Sequence, residues 1–171
     1  MSPITLSQLN ALDRPGFVAA LAGIFEGSPW IVEETWARRP FPSVAALYDA
    51  LAATMLAAPI EKQLALIRAH PDLVGRAALA GTLTPASTAE QAAAGLDVLS
   101  SGEIAAFTRL NDDYKRRFDF PFVICARDHR KASILAGFEA RLGNAREEEI
   151  TTALGEVGKI ARLRLRDTVT E

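Results

Sequence analysis

NAREEEITTALGEVGKIARLRLR, residues 144–166, reads as one helix from end to end. Asn144 is placed to cap it, Glu147, Glu148 and Glu149 fill its first turns, and Arg162, Arg164 and Arg166 lie near its end. That order of charge complements the helix macrodipole. At about 100° per residue, Ile150, Leu154, Val157 and Ala161 form one apolar stripe, and Arg164 falls on it while Arg162 and Arg166 point outward. A guanidinium on a buried face needs an anionic partner, because an unpaired buried charge is very costly. Two kinds of partner fit: an internal Asp or Glu, or the carboxylate or carbonyl oxygens of a ligand.

Helical punctuation continues on the N-terminal side. Ser28-Pro29 reads as N-cap and first-turn proline of a helix over 29–38 stopped by RPFP, and Ser43 as the cap of VAALYDALAATMLAA. Pro59 opens IEKQLALIRA, with Ile60, Leu64 and Ile67 on one face. A helix over 101–117 places Ile104, Phe107, Leu110 and Tyr114 at helical spacing, and one over 131–142 turns Ile134, Leu135, Phe138 and Leu142 inward. FPFVICA (120–126) breaks the pattern: it is apolar and partly β-branched, and no second such run exists to pair with it. A buried extended segment has backbone N–H and C=O groups in need of partners, and a ligand could supply them. The expected fold is all-α, a single domain over residues 1–171 of about eight or nine helices with one short extended buried segment.

Composition agrees. The 171 residues are 49% hydrophobic with a formal net charge of −2, and RDHRK (127–131), too short to track phosphates, reads as a solvated loop. No nucleic-acid partner is expected. The lone Cys125 excludes an internal disulfide, and its apolar setting suits a small hydrophobe better than a nucleophile. MSPITLSQLN lacks the basic-then-apolar order of a signal peptide, DTVTE is no peroxisomal address, and no apolar run has the roughly 18–20 residues needed to span a bilayer. The expectation is a cytoplasmic protein with no membrane partner. Two histidines 59 positions apart and one cysteine give no metal-ligand spacing, so no metal is expected.

LIRAHPDLVGRAALA (66–80) sets His70 at the end of an apolar helical run, since Pro71 pushes its predecessor out of the α region. Such a histidine serves as a helix-end or core residue or as a proton-transfer group. Asp72 reads as the N-cap of the next segment. STAEQ (87–91) reads as a capping box, Ser87 bonding the N3 amide and Glu90 reaching back, although the same arrangement offers a carboxylate and free amides to an anion.

Five motifs then occur in order: A-H-P-D-L; S-x-x-E-Q; L-N-x-x-Y-x-x-x-F-x-F-P-F; I-L-x-x-F-E-x-R-L-x-N; and I-A-x-x-R-L. With IFEGSPWIVEETWARRPF ahead of them, the chain resembles the 2-oxo-4-hydroxy-4-carboxy-5-ureidoimidazoline (OHCU) decarboxylases over residues 15 to 166. These enzymes of urate degradation yield (S)-allantoin. Gly27 stands where the family often has histidine, and Asp119 where glycine is common. The resemblance implies an all-helical homodimer that needs no cofactor and acts on OHCU. It implies that His70 is the acid–base residue with Pro71 lining the pocket, and that Glu90 is an essential carboxylate flanked by Ser87 and Gln91. It further implies that Arg164 is the family's arginine and that Phe122, Val123, Ile124, Cys125 and Ala126 face the substrate. The chemistry fits so small a set, because the substrate's ring imine can take the electrons released with CO₂. Two other classes stay open: a non-catalytic helical interaction module, marked by surface apolar stripes and no buried polar cluster, and a lyase for a related small acid on the same scaffold.

Overall fold

A computed structural model describes residues 3–171. Ten α-helical segments occur among the described residues, nine of them six residues or longer, with a two-stranded parallel sheet pairing β1 (Ile4–Thr5) with β2 (Val169–Thr170). The all-α expectation holds, but for that small sheet. The described residues form two compact units: residues 3–69 with 158–171, and residues 70–157.

The first unit contains α1 (Leu6–Ala11), α2 (Arg14–Ala20), α3 (Trp30–Thr35), α4 (Val44–Ala57), α5 (Ile60–Arg68) and the C-terminal part of α10 (Arg146–Thr168). Its core holds Leu9, Phe17, Leu21, Ile31, Leu47, Leu51 and Ile67, all fully buried. Ser43 caps α4 as expected, its hydroxyl accepting from the Ala46 N–H at 3.1 Å. Ser28 makes no side-chain cap of α3; Pro29 is the cap residue, and the helix tightens into a 3₁₀ turn at Trp36–Arg38. In α5 Leu66 and Ile67 are buried and Leu64 is half-buried, while Ile60, on the same face as Ile67 but in the first turn, is exposed. No single helix among the described residues is long and apolar enough to cross a membrane, and α4 and α5 are separated by a 112° bend.

The second unit contains α6 (Arg76–Leu79), α7 (Pro85–Ala93), α8 (Ser101–Phe118), α9 (Lys131–Arg141) and the N-terminal part of α10. Tyr114 of α8 is its hub, with the rings of Phe118, Phe120, Phe122 and Phe138 at centroid distances of 4.7, 6.0, 5.3 and 6.1 Å. Phe122 stacks on Phe138 at 3.7 Å. These rings explain how residues 120–126 lie buried without joining a sheet: aromatic packing gives the segment the apolar burial that a neighbouring strand would otherwise supply. Asp119, at φ +64°, takes the left-handed position that ends α8, a conformation that glycine adopts without strain. Asn144 lies two residues before α10 begins, and its side-chain amide donates to the Glu149 carboxylate at 2.8 Å.

Candidate active site

Helix α5 ends at Arg68 and the chain turns at His70, whose side chain is buried. The loop that follows is held at three successive residues. Lys115 pairs with the Asp72 carboxylate, the Asn111 amide donates to the Leu73 carbonyl at 2.7 Å, and the Val74 N–H donates to Gln91 Oε1 at 3.1 Å. Asp72 is therefore an ion-pair residue rather than the cap of α6, whose cap position is Gly75. Val74 has φ +53°, a left-handed conformation that a β-branched residue adopts only when its surroundings impose it. The clamp from α7 and α8 is that surrounding. Pro71 is half-buried and, with Asp72, Val74, Thr108, Asn111 and Lys115, lines a cavity of about 490 Å³.

Helix α7 carries the second group, one turn out of the expected register. Its N-cap is Thr84, whose Oγ1 accepts from the Ser87 N–H at 3.2 Å, with Pro85 in the first turn. Ser87 is thus the N3 residue and Glu90 lies mid-helix, so the capping-box reading of Ser87 and Glu90 does not hold. The physical reason is Pro85: its fixed φ and missing N–H suit the first helical position, which makes its predecessor the cap. Ser87 and Gln91, four residues apart, are buried on one face, and Glu90 beside them is half-buried. A helix interior gives Glu90 no capping duty.

The third group is the segment Phe122, Val123, Ile124, Cys125 and Ala126, all buried. It leads into a 3₁₀ turn, Ala126–Asp128, that packs against α7. Within this unit α7 therefore touches both the loop after His70 and the end of the extended segment. Side chains meet two of the segment's backbone groups. Arg141 Nη1 donates to the Val123 carbonyl at 2.7 Å, and the Cys125 N–H donates to Glu156 Oε2 at 2.8 Å. Arg141 is itself held by Glu149, a fully buried carboxylate that accepts from Arg141 Nε (2.7 Å), Asn144 Nδ2 (2.8 Å) and the Tyr114 hydroxyl. Burial, then the bond to Glu149, holds the Tyr114 phenol above the ordinary range, so it remains a neutral donor. Burial and a hydrogen bond to Asp128 push the Cys125 thiol up to about 12, which leaves it a thiol at neutral pH.

Sequence reasoning missed this network. In the sequence Glu149 is one of three glutamates that suit the helix dipole, and Arg141 is one position of a longer motif. The available signal was helical phase: Glu149 sits one residue before Ile150, at the edge of the buried stripe.

Arg164 belongs to the first unit and is 7% exposed, as its place on the α10 stripe predicts; Arg162 and Arg166 are exposed. Its Nη1 pairs with Glu26 Oε2 at 3.0 Å and donates to the Gly23 carbonyl at 3.1 Å. Glu26 went unremarked in the sequence. No group of three or more His, Cys, Asp or Glu among the described residues could hold a metal ion.

The loop that follows the buried His70 is thus bonded to α7, the helix that carries Ser87, Glu90 and Gln91. The family model for OHCU decarboxylase matches residues 10–166. The chain is 46% identical over 165 residues to the 2-oxo-4-hydroxy-4-carboxy-5-ureidoimidazoline decarboxylase of Haloferax volcanii, covering 96% of each. It is 41% identical over 167 residues to that of Halalkalicoccus jeotgali, covering 98% of this chain and 93% of the other. Among solved structures it is similar to a crystal structure of (S)-allantoin synthase, with a TM-score of 0.77 and 26% identity, covering 98% of this chain and about half (54%) of that one. The chain belongs to the OHCU decarboxylase family.

Proposed function

We propose that the protein is a carboxy-lyase that releases CO₂ from 2-oxo-4-hydroxy-4-carboxy-5-ureidoimidazoline to give (S)-allantoin in urate degradation. The observation that carries this reading is the buried His70 on a loop that Gln91, Asn111 and Lys115 hold in place. The substrate's carboxylate sits on a carbon that also bears a hydroxyl, next to a ring C=N. As CO₂ leaves, its electron pair moves into that imine, so the substrate carries its own electron sink and the reaction proceeds without a cofactor. The protein has to orient the ring, manage the hydroxyl proton and deliver a proton to one face.

His70 transfers the proton, an imidazole role worth about 10²–10⁴-fold. Glu90 polarises the imidazole or the substrate hydroxyl, and Arg164 binds carbonyl or carboxylate oxygens through its planar fork. Pro71, Ser87, Gln91 and the 122–126 segment complete the substrate contacts. In this reading the enzyme works as a homodimer in the cytoplasm, on a small molecule, with no nucleic acid or membrane partner. The buried polar residues His70, Ser87, Gln91, Asn111, Glu149, Glu156 and Arg164 favour an enzyme over an interaction module. Among the described residues, the large apolar side chains that stand exposed are Leu56, Ile60, Leu79 and Val98.

The test is turnover of freshly generated substrate, followed by CO₂ release and by optical activity. His70→Asn should retain the fold and leave only the spontaneous, racemic reaction. Formation of (S)-allantoin by that variant at near the wild-type rate would remove His70 from the mechanism.

A further inference from the structure

We propose that Arg141 is a positioning residue for the decarboxylation: held by Glu149, its guanidinium fixes the Val123 carbonyl and thereby the placement of the 122–126 backbone against the substrate. The inference rests on the reading that this segment faces the substrate.

The segment joins no sheet: among the described residues, backbone bonds hold only its C-terminal end, where the Cys125 and Ala126 carbonyls accept from the Asp128 and His129 N–H groups at 3.0 Å, and further alignment comes from side chains. Two pins are present, Arg141 Nη1 on the Val123 carbonyl and Glu156 Oε2 on the Cys125 N–H. They flank Ile124, so movement at either pin carries the Ile124 peptide groups with it. The Arg141 guanidinium is itself fixed on several sides. Its Nε meets Glu149 at 2.7 Å and its face lies 4.3 Å from the centroid of the Phe122 ring. Glu149 is anchored in turn by Asn144 and Tyr114.

A purely structural role explains this arrangement poorly. A buried ion pair is commonly no more stabilising than apolar residues of the same volume. What apolar residues cannot do is hold a carbonyl oxygen, and only a planar fork meets a carboxylate and a carbonyl at fixed positions at once.

Arg141→Lys separates the two roles. The ammonium can still pair with Glu149, but as a single point charge it cannot also keep the Val123 carbonyl in register. The expected result is a kcat/KM lower by about tenfold to a hundredfold, as small misplacements cost, carried chiefly by KM. Melting should change by only a few degrees, and backbone amide exchange should accelerate in 120–126 but not across the other buried helices. Glu156 supplies an independent check. Glu156→Leu, which removes the second pin, should reproduce the effect, and Glu156→Gln, which keeps an acceptor for the Cys125 N–H, should restore it. Should Arg141→Lys fail to fold, this pair decides the matter alone. Wild-type kcat/KM in Arg141→Lys or in Glu156→Leu, or a loss accompanied by faster exchange throughout the protein, overturns the proposal. A wild-type chain that releases no CO₂ above the spontaneous rate overturns the parent reading, whereas an active wild type with unchanged variants overturns this inference alone.

Discussion

Gln91→Leu tests the clamp on the histidine loop. In the folded protein Gln91 Oε1 accepts the Val74 N–H at 3.1 Å, with both residues buried. Leucine nearly preserves the volume but removes the acceptor. A buried N–H left without a partner costs about 1–3 kcal/mol. Val74 already sits at φ +53°, and left-handed backbone costs a non-glycine residue roughly 1–2 kcal/mol. Without Gln91 the loop has reason to relax to negative φ, which relieves both penalties and moves His70, four residues upstream. The stability loss is then capped at about 1–3 kcal/mol, or roughly 2–12 °C in Tm for a chain of this size. The loss of turnover should be larger than that stability change predicts. Calorimetry and CO₂ release on the same preparation measure both. Wild-type Tm with a rise confined to KM would mean that Gln91 contacts only the substrate and does not clamp the loop. Wild-type behaviour in both measurements would refute the reasoning altogether.

Three further outcomes are expected. Glu90→Gln should lose most of its turnover with Tm little changed, since Thr84 rather than Ser87 caps α7 and no capping role remains to be lost; full activity would make Glu90 a bystander. Arg164→Lys keeps the charge facing Glu26 but loses the fork, so activity should fall strongly while the exposed Arg162→Lys stays near wild type; a fully active Arg164→Lys would leave the Glu26 pair as that residue's only duty. Glu103, whose carboxyl is held down to about 2, first by its bond to Lys131 and then by the Ser100 N–H, stabilises the fold above the ordinary carboxylate range and ceases to do so as pH falls toward 2. Glu103→Gln should therefore flatten part of the decline in Tm between pH 4 and 2, and an unchanged acid profile would count against that contact.

Local physics was legible in the residues themselves. Ser43 had one amide within reach, Pro59 could only open a helix, and the α10 stripe put Arg164 on a buried face because helical phase is a local property. The Thr-Pro pair at 84–85 also held the true cap of α7, overlooked because Ser87 and Glu90 satisfied the same pattern three residues later. Nothing local, however, joins Asp72 to Lys115, Val74 to Gln91, or Arg164 to Glu26, separated by 43, 17 and 138 residues. The same holds for Val74 at positive φ, which no propensity favours and which only the side chains around the loop impose. The extended segment makes the division plain. Its apolar composition determined that it would be buried, but a buried peptide group takes whichever partner the packing brings near. Only the tertiary structure could decide that Arg141 and Glu156 would meet it.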